Sequence, residues 1–151
     1  MLKVNLFLDS SALVAGIVSP TGAARALLLL AETSQITITV SQQVIAESER
    51  AIARKIPQAL PELRQAIRAS KVKIVRNPSP SEVQASLNLI QHPADVPILL
   101  AAKNAHVDFL VTLNRKHFID NPEVARLTGL RIGTPGDGLE WLRNRISTSE
   151  G

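Results

Sequence analysis

The 151-residue chain has no cysteine. That excludes disulfides, thiolate metal sites and a cysteine nucleophile, and it fits a reducing cytoplasm. Aromatic residues make up only 3%. Such scarcity argues against an aromatic-rich β-sandwich, and the chain lacks the aromatic platforms that stack single-stranded bases. No apolar run approaches the roughly 20 residues of a membrane span, and no basic N-region leads into a cleavable apolar segment. These absences predict a soluble, cytoplasmic protein with no membrane partner. There is no P-loop and no G-x-G-x-x-G. Ser10 and Ser11 have no histidine near them in sequence for a hydrolase triad, and "DSSA" is not the D-x-D of aspartyl-nucleophile phosphatases. His92, His106 and His117 are too scattered along the chain for a recognisable zinc cluster.

What is present is aliphatic and short in period. The strand-like segments "VNLFL", "ITIT", "VKIV", "FLVT" and "LRIG" alternate with helical ones. Ser41 reads as an N-cap for "QQVIAESERAIARKI", which Pro57 ends. Ser79 to Glu82 reads as a capping box opening "EVQASLNLIQ". "NPEVARLTG" reads as a short helix stopped by glycine. The pattern predicts an α/β fold whose mainly parallel central sheet, of four or five strands, is covered on both faces. The length suits a single domain, expected over residues 1–146, with a loose tail at 147–151.

Charge is uneven. Residues 50–76 carry eight basic side chains against the single acid Glu62, a net +7 in a chain whose total is +4. Such a segment points to a polyanion, with a solvated helix face as the plain alternative. Arg50 with Arg54, and Arg64 with Arg68, are each spaced i,i+4 and so share a helical face.

Two acids stand alone in apolar surroundings. Asp9 is the only charged residue between Val4 and Ala24, and it ends the first strand. Asp95 is the only one between Val83 and Ala102, His92 aside, and it shares a helical face with Ile98, Leu99 and Ala102. Asn114 falls just past the end of "FLVT", and Thr112 ends that strand or offers a hydroxyl to a site. In open α/β sheets, sites form beyond the carboxyl ends of the strands. Taken singly, Asp9 could be a helix cap and Asp95 a first-turn acid. Together at one sheet edge they would repel by about 4 kcal/mol at ~4 Å in an effective dielectric of ~20. A divalent cation such as Mg²⁺ resolves that repulsion.

The segments "LFLDSSALVAG", "SQQVIAESERAI", "HPADVPILLAAKNAHVDFLVT" and "TLNRKHF" resemble, in order and spacing, the successive motifs of PIN-domain nucleases. The resemblance spans nearly the whole chain. It implies a three-layer α/β/α domain and metal-dependent cleavage of a phosphodiester, usually in RNA. The first acid of the pattern matches Asp9, followed by a hydroxyl at Ser10 or Ser11. The second matches Glu47 and the third Asp95. The fourth position, an aspartate in many members, is Asn114 here, and a further acidic position falls near His117. Three carboxylates remain, which counts against a fully occupied second metal site. By helical spacing alone Glu47 is indistinguishable from Glu49, and either could be a solvated side chain.

The resulting expectation is an endoribonuclease acting on single-stranded RNA. Asp9, Glu47 and Asp95 would hold one or two Mg²⁺ or Mn²⁺ ions, with Asn114 as a polar or water-mediated ligand. Ser10, Ser11, Thr112 and His117 would support the site. Arg50, Arg54, Arg64 and Arg68 would steer the RNA, and Arg115 and Lys116 could meet phosphate or lie in a solvated turn. The resemblance also permits the role of a VapC-type toxin with an antitoxin partner, and a homodimer. Because Asn114 removes a charge, an RNA-binding module without catalysis is the alternative, and a protein-interaction domain is a third.

Overall fold

The computed structural model describes residues 3–150, with side chains through Arg145. The loose tail expected at 147–151 lies where side chains are outside the described residues. Five strands, β1 (Asn5–Leu8), β2 (Thr37–Ser41), β3 (Lys73–Val75), β4 (Phe109–Val111) and β5 (Ile132–Gly133), form one sheet in the order β3-β2-β1-β4-β5. Every pairing is parallel. Leu6, Phe7 and Leu8 of β1 and Phe109, Leu110 and Val111 of β4 are all buried, as strands covered on both faces must be.

The helices follow from local signals. α1 (Ser10–Val18) begins directly after β1, capped by Asp9. α2 (Ala23–Glu32) starts after Gly22 and lies close against α1. A Cβ on Gly16 would sit 2.7 Å from Leu28 Cδ1, so any larger residue there would force the buried Leu28 side chain to shift. α3 (Gln42–Lys55) is capped by Ser41, whose hydroxyl accepts from Val44 N–H at 3.2 Å. α4 (Leu60–Ala69) presents Leu63 and Ala66 to the core. α5 (Pro80–Ala85) opens on the expected capping box between Ser79 and Glu82. The helix expected over "EVQASLNLIQ" does not run through: α5 ends at Ala85 with no buried residue, and a separate 3-10 turn covers Leu87–Leu89. α6 (Val96–Asn104) buries Val96 and the whole run Ile98–Ala102. α7 (Pro122–Thr128) stops at Gly129, which takes the left-handed conformation at φ 73°. α8 (Pro135–Glu150) closes the chain.

The chain winds from β1 outward to β3 on one side, then returns to start again at β4 on the other. The sheet therefore reverses between β1 and β4, and a crevice for ligands opens at the carboxyl ends of these two strands. Among the described residues no single helix is long and apolar enough to cross a membrane.

Candidate metal and nucleic-acid site

Register sets the first part of the site. Leu8 pairs with Val111, so the next residues, Asp9 and Thr112, stand side by side at the reversal point. Asp9 is 5% exposed. Its Oδ1 accepts from Ala12 N–H at 3.0 Å and from the Ser11 hydroxyl at 2.7 Å, and its Oδ2 accepts from the Thr112 hydroxyl. Asp9 is thus the helix cap the sequence allowed, but with two further donors recruited from elsewhere. None of the three is cationic. Burial holds the Asp9 carboxyl above its ordinary pKa despite these bonds, and the nearby Asp95 charge adds to the rise.

Glu47 is reached through helix packing. α1 and α3 lie against each other, and the Ser10 hydroxyl donates to Glu47 Oε1 at 3.0 Å. One turn back on α3, Gln43 Nε2 donates to Glu47 Oε2 at 3.1 Å and reaches Ala94 O at 3.5 Å, beside Asp95. Neither Arg50 nor Arg54 forms an ion pair with Glu47 among the described residues. Both are exposed and, with Glu47, Ala51 and Lys55, line a groove of about 280 Å³. Arg64 and Arg68 are exposed on α4, outside that lining.

Asp95 stands at the start of α6 with no cap bond to the helix. Its Oδ2 lies 2.8 Å from His117 Nδ1 instead. His117 belongs to a π-helical turn, Arg115–Ile119, which no sequence signal announced. Asn114 caps that turn: its Oδ1 accepts from His117 N–H at 3.0 Å, and its Nδ2 is 3.1 Å from His117 Nδ1. The side chain expected to act as a polar ligand is therefore engaged in holding His117. Arg115 and Lys116 are exposed on the same turn. The histidines that look scattered in sequence are not all scattered in space: the His92 ring stacks on His117 with centroids 3.4 Å apart. Gln43 and His92 are the two site neighbours the sequence did not single out. Gln43 carried one usable signal, its i,i+4 spacing to Glu47.

Among the described residues no group of three or more His, Cys, Asp or Glu side chains is gathered closely enough to hold a metal ion as they stand. Each carboxylate is engaged with its own protein donors. The chemistry of the donors nonetheless suits a hard divalent cation. All are carboxylate oxygens, Asp9 is buried without a positive partner, and Asp95 Oδ1 accepts no hydrogen bond among the described residues.

A doubly wound parallel α/β domain with acids and hydroxyls gathered at its reversal point is the class defined by fold and site. The family is more specific. The PIN-domain model matches residues 5–116, and the chain belongs to the PIN-domain family, as its motifs suggested. The crystal structure of VapBC2 from Rickettsia felis bound to a DNA fragment from their promoter is similar, at 22% identity over 87% of this chain and 98% of that one, with a TM-score of 0.62. So is that of PAE2754 from Pyrobaculum aerophilum, at 20% identity over 96% of this chain and 90% of that one, with a TM-score of 0.56. At such identities the likeness is one of fold. No curated protein matches the chain.

Proposed function

We propose that the protein is a divalent-metal-dependent endoribonuclease acting on single-stranded RNA. The observation that carries this reading is Asp9: a buried carboxylate at the sheet's reversal point, with neutral donors only and a second carboxylate near enough to raise its pKa. Such a group lowers metal-free stability, and strongly perturbed acids of this kind gather at functional sites. Asp9, Glu47 and Asp95 would hold Mg²⁺ or Mn²⁺. The bound ion would lower the pKa of a water and neutralise charge on the attacked phosphate.

The remaining roles belong to the chain itself. Ser11, Thr112 and the Ala12 N–H fix both oxygens of Asp9. Ser10 and Gln43 fix those of Glu47, and His117 fixes one of Asp95. Because no three of these acids are gathered around one point among the described residues, taking up an ion would exchange some of these bonds for metal contacts. Arg50 and Arg54 offer an RNA backbone two cations beside Glu47. Arg64, Arg68, Arg115 and Lys116 extend the positive field.

The test is incubation of the protein with a mixed RNA pool in Mn²⁺, Mg²⁺ or EDTA, beside Asp95→Asn and Glu47→Gln. Cleavage with metal, lost in EDTA and in both variants, is expected. Cleavage that persists in EDTA or in Asp95→Asn overturns the proposal. The likeness to VapBC2 favours a toxin role with an antitoxin partner in the cytoplasm, and we include a homodimer in that reading. Co-expression with the product of a neighbouring reading frame and sedimentation of the pure protein test these two points.

A further inference from the structure

The His92 and His117 rings lie 17° from parallel with centroids 3.4 Å apart. The lower ring is fixed. His117 Nδ1 is 2.8 Å from Asp95 Oδ2 and 3.1 Å from Asn114 Nδ2, and its backbone N–H donates to Asn114 Oδ1. The upper ring belongs to an exposed residue whose backbone is also constrained. His92 precedes Pro93 and sits at φ −94°, ψ 108°, close to the extended conformation that a following proline favours. His92 is thus an exposed ring backed by a second ring that is anchored to Asp95.

Its neighbours indicate what it would meet. Arg115 and Lys116 are exposed on the same turn as His117, and Asp95, one carboxylate of the proposed site, is held by the His117 ring. A ring stacked on a turn that carries two exposed cations and reaches Asp95 suits a ligand that is planar and anionic by turns along its length. Imidazole is one of the rings on which proteins stack unpaired RNA bases.

We propose that His92 is a stacking platform for one unpaired nucleobase of the substrate strand, adjacent to the phosphate addressed by Asp9, Glu47 and Asp95. The proposal rests on the nuclease reading above and adds to it the source of single-strand preference. A base already stacked within a duplex cannot reach the ring, whereas a splayed base can. The scarcity of Phe, Tyr and Trp therefore does not leave the site without a π-surface; two histidines supply it.

The experiment measures binding, separately from turnover. A labelled single-stranded oligoribonucleotide is titrated in EDTA with the native protein, His92→Ala and His92→Phe, after thermal unfolding has shown each to be folded. Parallel titrations use strands with a single abasic position moved along the sequence. His92→Ala is expected to weaken binding by between about fivefold and 150-fold, the range for one stacked base, and His92→Phe to restore most of it. One abasic position should weaken the native protein by a similar factor and add nothing to His92→Ala. Duplex RNA should bind both equally. Native affinity in His92→Ala, no recovery in His92→Phe, or an abasic loss that is undiminished in His92→Ala each overturns the platform. If the native protein still cleaves RNA with Mn²⁺, the nuclease reading survives that failure. If it neither binds nor cleaves RNA, both fall.

Discussion

Asp9→Asn removes one charge and almost no volume. Asparagine keeps both contacts now made by Oδ1, to Ser11 and to Ala12 N–H. Its Nδ2 donates where Oδ2 accepted. Thr112 Oγ1, which already accepts from Asn114 N–H at 3.0 Å, must then turn its own hydrogen away. One buried hydroxyl bond is lost, about 1 kcal/mol. Against this stands the burial of a carboxylate that no cation offsets, whose effective penalty in proteins is several kcal/mol. The raised pKa of Asp9 fixes the sign, because it means that the folded site prefers a neutral group there. The amide should therefore stabilise the metal-free protein by roughly 1–3 kcal/mol. For a chain of this size each kcal/mol moves the unfolding midpoint by about 2–4 °C. Thermal unfolding followed by circular dichroism, in EDTA and in Mn²⁺, reads both halves of the argument. The native midpoint should rise with Mn²⁺, by the equivalent of about 2.7 kcal/mol at a hundredfold excess over Kd, while that of Asp9→Asn should not. Asp9→Ala, which relieves the same charge but loses the cap and the acceptor of Ser11 and Thr112, should be less stable than Asp9→Asn by about 0.5–2 kcal/mol or more. A lower EDTA midpoint in Asp9→Asn would refute the reasoning, for the carboxylate would then serve chiefly as a cap.

Three further outcomes are expected. Thr112→Val leaves Asp9 Oδ2 and the Asn114 N–H without their partner. It should lower stability by about 1–3 kcal/mol and push the Asp9 pKa further up, so that calorimetric Mn²⁺ binding requires a higher pH. For the native protein, a carboxyl raised above its usual value binds its proton more tightly when folded than when unfolded. The Asp9 contribution to stability in EDTA should thus fall as pH rises from the ordinary carboxylate value through the raised one; urea titrations should show that slope in the native protein and not in Asp9→Asn. Mn²⁺ affinity should rise over the same window, since binding displaces the proton. The double variant Arg50→Ala, Arg54→Ala should reduce the slope of log affinity for single-stranded RNA against log salt by about 1.4, at about 0.7 per lost phosphate contact, as filter binding across a KCl series would measure.

Features fixed by neighbours in sequence were legible in it. The Ser41 cap, the Ser79–Glu82 capping box and the Gly129 stop all fall where the residue types put them. Features fixed by distant partners were not. The strand read as "ITIT" is displaced to Thr37–Ser41 because pairing with β1, Asn5 opposite Thr37, sets its start and pairing with β3, Val75 opposite Ser41, its end. The helix after Pro80 breaks early because it buries nothing that would hold it. In the site, Asp9 and Asp95 stood out as isolated charges, and the parallel sheet explains why one such charge reaches its edge. Glu47 could not be told from Glu49 by periodicity; the family resemblance pointed to Glu47, and the packing of α1 on α3, which brings Ser10 to its carboxylate, is the structural difference. The contact between His92 and His117 joins the residue before one helical turn to the π-helical turn of another segment, and no spacing rule reports on such a meeting.

The strand made first lies in the middle of the finished sheet, and its two neighbours arrive at very different times. β2 follows within a few dozen residues, whereas Thr112 comes 103 residues after Asp9. A chain still leaving the ribosome can build the β1–β2–β3 flank, but Asp9 then has open solvent where β4 will later stand. Neither the burial of that acid nor its bond to Thr112 can precede the synthesis of β4 and the residue after it. On the nuclease reading proposed above, any fragment ending short of residue 109 should fail to cleave RNA.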